Sequence, residues 1–249
     1  MPRFIPFRLA AACVLVIVVS LVPAAAAAAK RVSAELRVVG KAGKVLSEQA
    51  LDTGTVSVKT SRSATCFGAD NAGSGKPATI KGATAMGLLV QASKSTPALR
   101  PLSITDAFSF GLGICSIGSA KITNKKASWY LKVNHKAQQV GGDSVKLKPG
   151  DEVLWAYASS YPYANELALV APESASAGTP FEVRVFSYDE NGKRKPVPDA
   201  TVSGASGPTD AAGKATVTLT APGLLRATHG KEIPSAAAPV CIAGICPEA

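Results

Sequence analysis

The sequence has few of the side chains on which enzymatic catalysis depends. It contains two histidines, His135 and His229, and it has neither a Gly-x-Ser-x-Gly elbow nor a His-Glu-x-x-His motif. A thiol nucleophile would have to combine Cys115 with His135 and with either Asp106 or Asp151. Because a cysteine of an exported chain is far more often oxidised than free, we predict that the protein is not an enzyme.

Spacings typical of metal sites are also missing from the sequence. No two cysteines stand in a Cys-x-x-Cys arrangement. The acidic side chains are dispersed: Asp151 belongs to a predicted turn, and Asp189-Glu190 belongs to a hairpin loop without the ligand spacing of a calcium site. We therefore expect no bound metal and no cofactor.

Negative charge is scarce relative to positive charge. Lysine and arginine number 27, aspartate and glutamate 17, and the net charge is +10. Such a surplus suits an anionic partner, such as an acidic wall polymer, lipid headgroups or nucleic acid. The tight basic clusters, Lys125-Lys126 and Lys193-Arg194-Lys195, both lie beside predicted turns, which favours a solvated basic surface. We predict no nucleic-acid partner and keep an anionic cell-envelope polymer as an alternative partner.

The first residues have the pattern of a secretory signal. Arg3 and Arg8 precede an apolar run over residues 9–22, and a series of alanines follows it. The apolar run is short for a membrane span. We predict a signal peptide over residues 1–29, cleaved at a position left open within residues 24–29, so that the protein is secreted or lies at the cell surface. Contact with the membrane is expected only through an uncleaved signal segment.

The cysteines indicate a disulfide framework. Cys13 lies within the predicted signal, and four cysteines remain beyond it: Cys66, Cys115, Cys241 and Cys246. An even number in an exported chain predicts two disulfides, although four cysteines allow three pairings. We prefer Cys66 with Cys115 and Cys241 with Cys246, since the second pair closes a short loop in which Gly244 eases the turn.

Two tryptophan-bearing segments are the predicted core of the main domain. Along residues 129–135, Trp129, Leu131 and Val133 alternate with Tyr130, Lys132 and Asn134, and residues 153–157 repeat this period with Val153, Trp155 and Tyr157. Side chains alternate between faces along a strand. The pattern therefore predicts two neighbouring half-buried strands.

Other segments add a hairpin and a helix. Alternating apolar residues over 31–61 predict a β-hairpin, and the spacing over Thr84–Ser93 predicts a helix with Thr84 as its N-cap. After Pro97 and Pro101, residues 103–110 alternate again as a strand. The predicted order is hairpin, helix and then further strands.

Four stretches in this region carry a family resemblance: residues 84–89, 110–118, 129–134 and 150–155. Together they resemble a family of domains of unknown function that is similar to the C-terminal β domain of transcobalamin and intrinsic factor. The resemblance covers residues 31–160 and implies a β-grasp-like fold with one helix and the binding of a ligand. In the vitamin carriers this domain closes over cobalamin together with a helical domain, which has no counterpart in these 249 residues.

The sequence pattern of the second half of the chain predicts a separate β module. Residues 180–187 alternate cleanly, Asn191-Gly192 is a strong hairpin signal, and a Thr209-Asp210-x-x-Gly213 turn precedes the next alternating run. This part resembles bacterial immunoglobulin-like repeats and carboxypeptidase regulatory-like domains, which implies a β-sandwich over residues 165–229. We expect residues 230–249 to form a tail with a small disulfide loop.

The fold predicted from sequence is mainly β: an α+β, β-grasp-like domain followed by an immunoglobulin-like β-sandwich. The candidate ligand-binding residues lie on and beside the face of the first tryptophan strand that we expect to be exposed: Phe110, Tyr130, Lys132, Asn134 and His135. Aromatic and amide groups on a rigid strand suit a small or glycan ligand. In the simpler interpretation, Tyr130 only covers the sheet and Asn134 caps a turn.

These observations predict a secreted or cell-surface, non-enzymatic binding or interaction protein. The alternative is a structural surface spacer that is held to an anionic envelope by its basic charge.

Overall fold

The computed structural model describes residues 31–63, 66–67 and 71–248, so the predicted signal peptide over residues 1–29 lies outside the described part. These residues form a mainly β structure with one α-helix, α1 (Ala85–Ser95), and two single-turn 3-10 helices at Lys41–Gly43 and Pro97–Leu99. None of the helices in the described ranges is long and apolar enough to cross a membrane. The strands, numbered in chain order, are β1 (Val32–Val39), β2 (Val45–Thr53), β3 (Val56–Lys59), β4 (Pro77–Ile80), β5 (Leu102–Phe108), β6 (Gly111–Ile117), β7 (Ala120–Lys121), β8 (Ser128–Val133), β9 (Lys136–Ala137), β10 (Glu152–Ala158), β11 (Glu166–Val170), β12 (Ser174–Ala175), β13 (Phe181–Tyr188), β14 (Arg194–Pro196), β15 (Thr201–Val202), β16 (Lys214–Val217), β17 (Gly223–Leu225), β18 (Ala227–Thr228) and β19 (Ala238–Ile242).

A five-stranded sheet, called the central sheet below, organises the first part of the chain. Its strand order is β2-β1-β10-β8-β9. β1 and β10 are parallel neighbours, while β1 pairs with β2, and β10 with β8, in antiparallel fashion. The two tryptophan-bearing segments therefore lie side by side, with Leu131 opposite Trp155. This pairing confirms the prediction that they share one sheet.

One face of the central sheet packs against α1. Leu36, Leu131 and Trp155 belong to the same buried cluster as Leu88 and Leu89 of the helix. Thr84 begins the helix as predicted, because its side chain accepts a hydrogen bond from the backbone N–H of Gly87 at 3.0 Å. The helix ends at Ser95, two residues later than predicted, where Pro97 cannot continue the α-helical hydrogen bonding.

Smaller sheets and a disulfide complete the first part. β3 pairs with β4, and β5, β6 and β7 form an antiparallel three-stranded sheet. A disulfide joins Cys66 to Cys115 of β6, and a second joins Cys241 to Cys246. Both are the pairings preferred from the sequence. Two disulfides indicate an oxidising environment outside the cytosol.

The second part of the chain has its own apolar core. β13 pairs with β11, β14 and β16, and β19 lies between β12 and β17. The predicted Asn191-Gly192 turn joins β13 to β14, and Gly192 has φ +78°. Residues 230–249 were expected to be a tail, but residues 238–242 form β19, whose Val240 is fully buried. This segment is therefore part of the second core, because its backbone pairs with β12 and β17 and Val240 packs in the second apolar cluster.

We expect Thr84→Ala to lower the free energy of unfolding by about 1 kcal/mol, since the substitution removes the N-cap acceptor of α1. Urea unfolding followed by circular dichroism measures this change. Thr84→Ser, which keeps the hydroxyl, is the matched control and should retain most of the stability. Equal destabilisation by serine and alanine would show that the capping hydrogen bond is not the cause.

Candidate functional site

The second face of the central sheet, opposite α1, is covered. Tyr130 and Lys132 of β8 are 5% and 1% exposed, and Leu154 of β10 is buried beside them. The prediction that Tyr130 and Lys132 point into solvent is therefore wrong. The reason is that residues around β11, β13 and Ile233 pack over this face, where Ile233 shares a buried cluster with Tyr130 and Leu154.

A buried group of charges lies on this covered face. Glu166, the first residue of β11, forms ion pairs with Arg37 of β1 and with Lys132, whose Nζ is 3.1 Å from Glu166 Oε2. Arg37 also donates to the backbone carbonyl of Pro234. The Lys132 ammonium donates in addition to the carbonyl oxygens of Tyr188 and Asp189, at 3.2 and 3.1 Å. One carboxylate thus ties two strands of the central sheet to the second part of the chain.

His135 joins the same group. Its Nδ1 is 3.2 Å from Glu166 Oε2, and its ring stacks on Tyr188 with a centroid distance of 3.9 Å. Burial by itself raises the pKa of Glu166, but the contacts with His135, Arg37 and Lys132 outweigh burial and hold that pKa below its usual value. Burial lowers the pKa of Lys132 and of Arg37, although Glu166 opposes this change in both. The carboxylate is therefore the stabilised charge of the group.

Asn134 has a structural role in the turn after β8. Asn134 and His135 both have positive φ, at 49° and 66°. The Asn134 side chain donates to Asp151 at 2.9 Å and accepts from the backbone N–H of Glu152 at 2.9 Å. This arrangement agrees with the simpler interpretation, in which Asn134 fixes a turn.

Phe110 lies away from the charged group, at the mouth of an aromatic cleft. The cleft has a volume of about 510 Å³ and lies over the edge where β6, β8 and β10 approach residues 138–142. No residue that lines it carries a formal charge at neutral pH. The lining residues are Phe67, Met86, Phe110, Leu112, Gly113, Ile114, Ser128, Trp129, Tyr130, Leu131, Gln138, Gln139, Val140, Gly141, Gly142, Trp155 and Tyr163.

Aromatic rings make up much of the cleft wall. Phe110 is 64% exposed and stacks on Phe108, with ring centroids 4.9 Å apart and planes 10° apart. At the opposite end, Tyr163 packs against Tyr130 at 4.3 Å and accepts a hydrogen bond from Ser128 Oγ at 3.2 Å. Stacking on these rings and hydrogen bonding to hydroxyl and amide groups are what the cleft offers a ligand.

The cleft is closed on one side by a glycine-containing loop. A Cβ added at Gly142 would lie 2.6 Å from the Trp155 ring, so the backbone there packs directly on the indole. The indole N–H of Trp129 is buried and has no hydrogen-bond partner among the residues that the structure describes. A buried donor without an acceptor costs free energy.

The structure separates the five candidate residues predicted from the sequence. Phe110 and Tyr130 line the aromatic cleft, Lys132 belongs to the buried charges, His135 contacts them through Glu166, and Asn134 lies in a turn. Sequence reasoning missed Glu166, because a single glutamate before an apolar run has no distinguishing pattern. It also missed the loop over residues 138–142, although the adjacent glycines Gly141 and Gly142 indicated close packing of the backbone.

Comparison with known proteins finds one family. A family model described as a domain of unknown function (DUF4430) matches residues 108–159, or 52 of the 249 residues. This segment runs from the last residue of β5 to just beyond β10, and it supplies fourteen of the seventeen residues that line the aromatic cleft. No curated protein matches the chain. The match thus fits the predicted domain of unknown function and coincides with the cleft.

We expect Glu166→Gln to lower the free energy of unfolding at pH 7 by about 3–5 kcal/mol, because it leaves two buried cations without their counter-ion. The folded-state pKa of Glu166 lies below its unfolded value. Its contribution to stability is therefore complete above pH 4.5 and is lost as the pH falls through the folded-state pKa. Urea unfolding between pH 3 and 7 measures both effects.

Glu182→Gln is the matched control for this experiment. Glu182 also pairs with two cations, Arg184 and Lys214, but on an exposed surface of β13 and β16. Exposed ion pairs contribute little, so its loss should change stability much less. A Glu166→Gln protein that is as stable as the control variant would contradict a structural role for the buried charges.

Proposed function

We propose that the protein is an exported, non-enzymatic binding protein that takes a small or glycan ligand in the aromatic cleft. The observation that carries this proposal is the cleft itself: a recess of about 510 Å³ whose lining is aromatic, apolar or amide and has no formal charge. Ligand sites have this size and character, with few polar groups that fix orientation.

The lining limits the chemistry of the ligand. A charged ligand would lose its hydration shell without gaining a counter-ion in the cleft, which is unfavourable. A neutral ligand with a flat apolar face can stack on the exposed ring of Phe110 and contact Tyr163. The Gln139 amide, which also lines the cleft, suits hydroxyl or carbonyl groups.

The proposed domain organisation supports this assignment. We take residues 31–160 as a β-grasp-like domain resembling the transcobalamin β domain, because the hairpin β1–β2 is followed by one helix and then by β8 and β10, and β10 pairs in parallel with β1. We take residues 165–229, extended by β19, as an immunoglobulin-like module that supports the first domain. The separate buried core of the second part is consistent with such a module.

Export is the second part of the proposal. The two disulfides favour an oxidising compartment, and the pattern over residues 1–29 favours a cleaved secretory signal. Together they support a protein that works outside the cell or at its surface.

A structural spacer is the competing function. The buried charges around Glu166 hold the two parts of the chain in one orientation, as a spacer requires, and the net charge of +10 suits attachment to an anionic envelope. High salt should release a spacer of this kind from cell envelopes, because salt screens exposed charges. Occupation of the uncharged cleft should be insensitive to salt.

Tryptophan fluorescence tests the binding proposal, because both tryptophans of the chain, Trp129 and Trp155, line the cleft. We expect a neutral glycan or a corrinoid from a screening panel to change the emission on titration. Phe110→Ala should weaken that ligand about tenfold, since one aromatic contact contributes about 1.4 kcal/mol.

The control variant is Leu224→Ala, which truncates an exposed apolar residue of the second part. It should leave the affinity unchanged. If Phe110→Ala binds as tightly as the control variant, or if ligands raise the melting temperature without changing tryptophan emission, the cleft is not the binding site.

A further inference from the structure

We propose that the junction between the two parts of the chain is a second binding site, which takes an acidic polysaccharide. The site is a groove of about 1020 Å³, called the junction groove below. Its walls are the turn between β1 and β2 (residues 39–43), the end of β10 with the residues that follow (156–164), and the loop over residues 228–234. The groove is distinct from the aromatic cleft, although Tyr130 borders both.

Positive charge lines the junction groove on two of its segments. Lys41 stands on the β1–β2 turn and Lys231 on the loop after β18. Neither lysine takes part in an ion pair with any residue in the described ranges. Arg37 lies directly behind the wall, because it donates to the carbonyl of the groove residue Pro234. Lys41 and Lys231 together attract an anion into the groove, whereas the charge of Arg37 is already paired with Glu166.

The acidic residue that lines the groove, Glu232, already has hydrogen-bond partners within the protein. Glu232 accepts hydrogen bonds from Ser187 Oγ at 2.5 Å, and its other oxygen lies 2.9 Å from His229 Nδ1. Its negative charge remains, but Lys41 and Lys231 outnumber it, so the lining of the groove keeps a net positive charge. The same contact orients the His229 ring, so that Nε2 is the nitrogen left for a ligand.

Groups that can bind sugars line the same groove. The Tyr157 ring is half-buried in the wall, and Lys41 Nζ lies 5.1 Å from its centroid. Ser159 and Ser160 expose their hydroxyls at the end of β10. An aromatic ring beside hydroxyl donors and ammonium groups matches a sugar ring that carries a carboxylate or sulfate.

The length of the site favours a polymer over a single sugar. A neighbouring recess of about 530 Å³ shares residues 229–232 and Ala164 with the junction groove and adds Lys195 on its far side. The two recesses are therefore contiguous, and lysines stand along both. Because the disulfides favour an oxidising compartment outside the cytosol, an acidic polysaccharide is a better match than a nucleic acid.

The test is a titration of the purified full chain with a fluorescently labelled oligogalacturonate, followed by anisotropy. We expect binding at about 20 mM salt that weakens at least tenfold at about 300 mM salt. Lys41→Gln combined with Lys231→Gln should weaken binding about fivefold or more at the lower salt concentration. The matched control is Lys59→Gln combined with Lys81→Gln, which removes the same charge from exposed sites near β3 and β4, outside both recesses.

The control double variant should bind within about twofold of the original chain. Equal weakening by both double variants would overturn the proposal, since it would mean that the overall charge and not the groove binds the polymer. Absence of binding at low salt, equal binding of neutral dextran, or tighter binding of a single-stranded oligonucleotide of equal charge would also overturn it. None of these results bears on the aromatic cleft, which is tested separately by tryptophan emission.

Discussion

The ion pairs of Glu166 are the interaction on which the rest of the structure depends. The central sheet buries one face against α1 and the other against the second part of the chain, and Arg37 and Lys132 stand in the middle of that second face. Two cations buried without a counter-ion would be very unfavourable. Glu166 can pair with both cations only when the start of β11 lies over them. The need to pair these charges therefore fixes how the second part of the chain is placed on the central sheet. We therefore infer that the buried ion pairs select this arrangement of the two parts.

That placement also shapes both proposed binding sites. The connection between β10 and β11 carries Tyr163, which closes one end of the aromatic cleft by packing on Tyr130. The same connection forms one wall of the junction groove. A second part that could swing on this connection would not keep the junction groove, because that groove is built from residues on both sides of it. The buried charges thus support the junction groove, and Arg37 does so directly through the carbonyl of Pro234.

Much of the local structure could be predicted from the sequence, and most of the long-range burial could not. The tryptophan strands, the Thr84 N-cap and the two disulfides each leave a short-range pattern of alternation, capping or cysteine number. The burial of Lys132 leaves none, because a lysine on the alternate face of a strand normally indicates solvent. One signal was present in β10, where Val153, Leu154, Trp155 and Ala156 run without a polar residue. Such a run is typical of a strand that is covered on both faces.

The aromatic cleft is uncharged and the junction groove is cationic because different parts of the fold line them. The aromatic cleft is lined mainly by β6, β8 and a loop that packs on Trp155, where close contact with the core leaves no room for hydrated side chains. The junction groove lies where turns from the two parts meet, and turns carry lysines because their side chains can reach water. One fold can therefore hold a neutral recess and a cationic recess a short distance apart without either changing the character of the other.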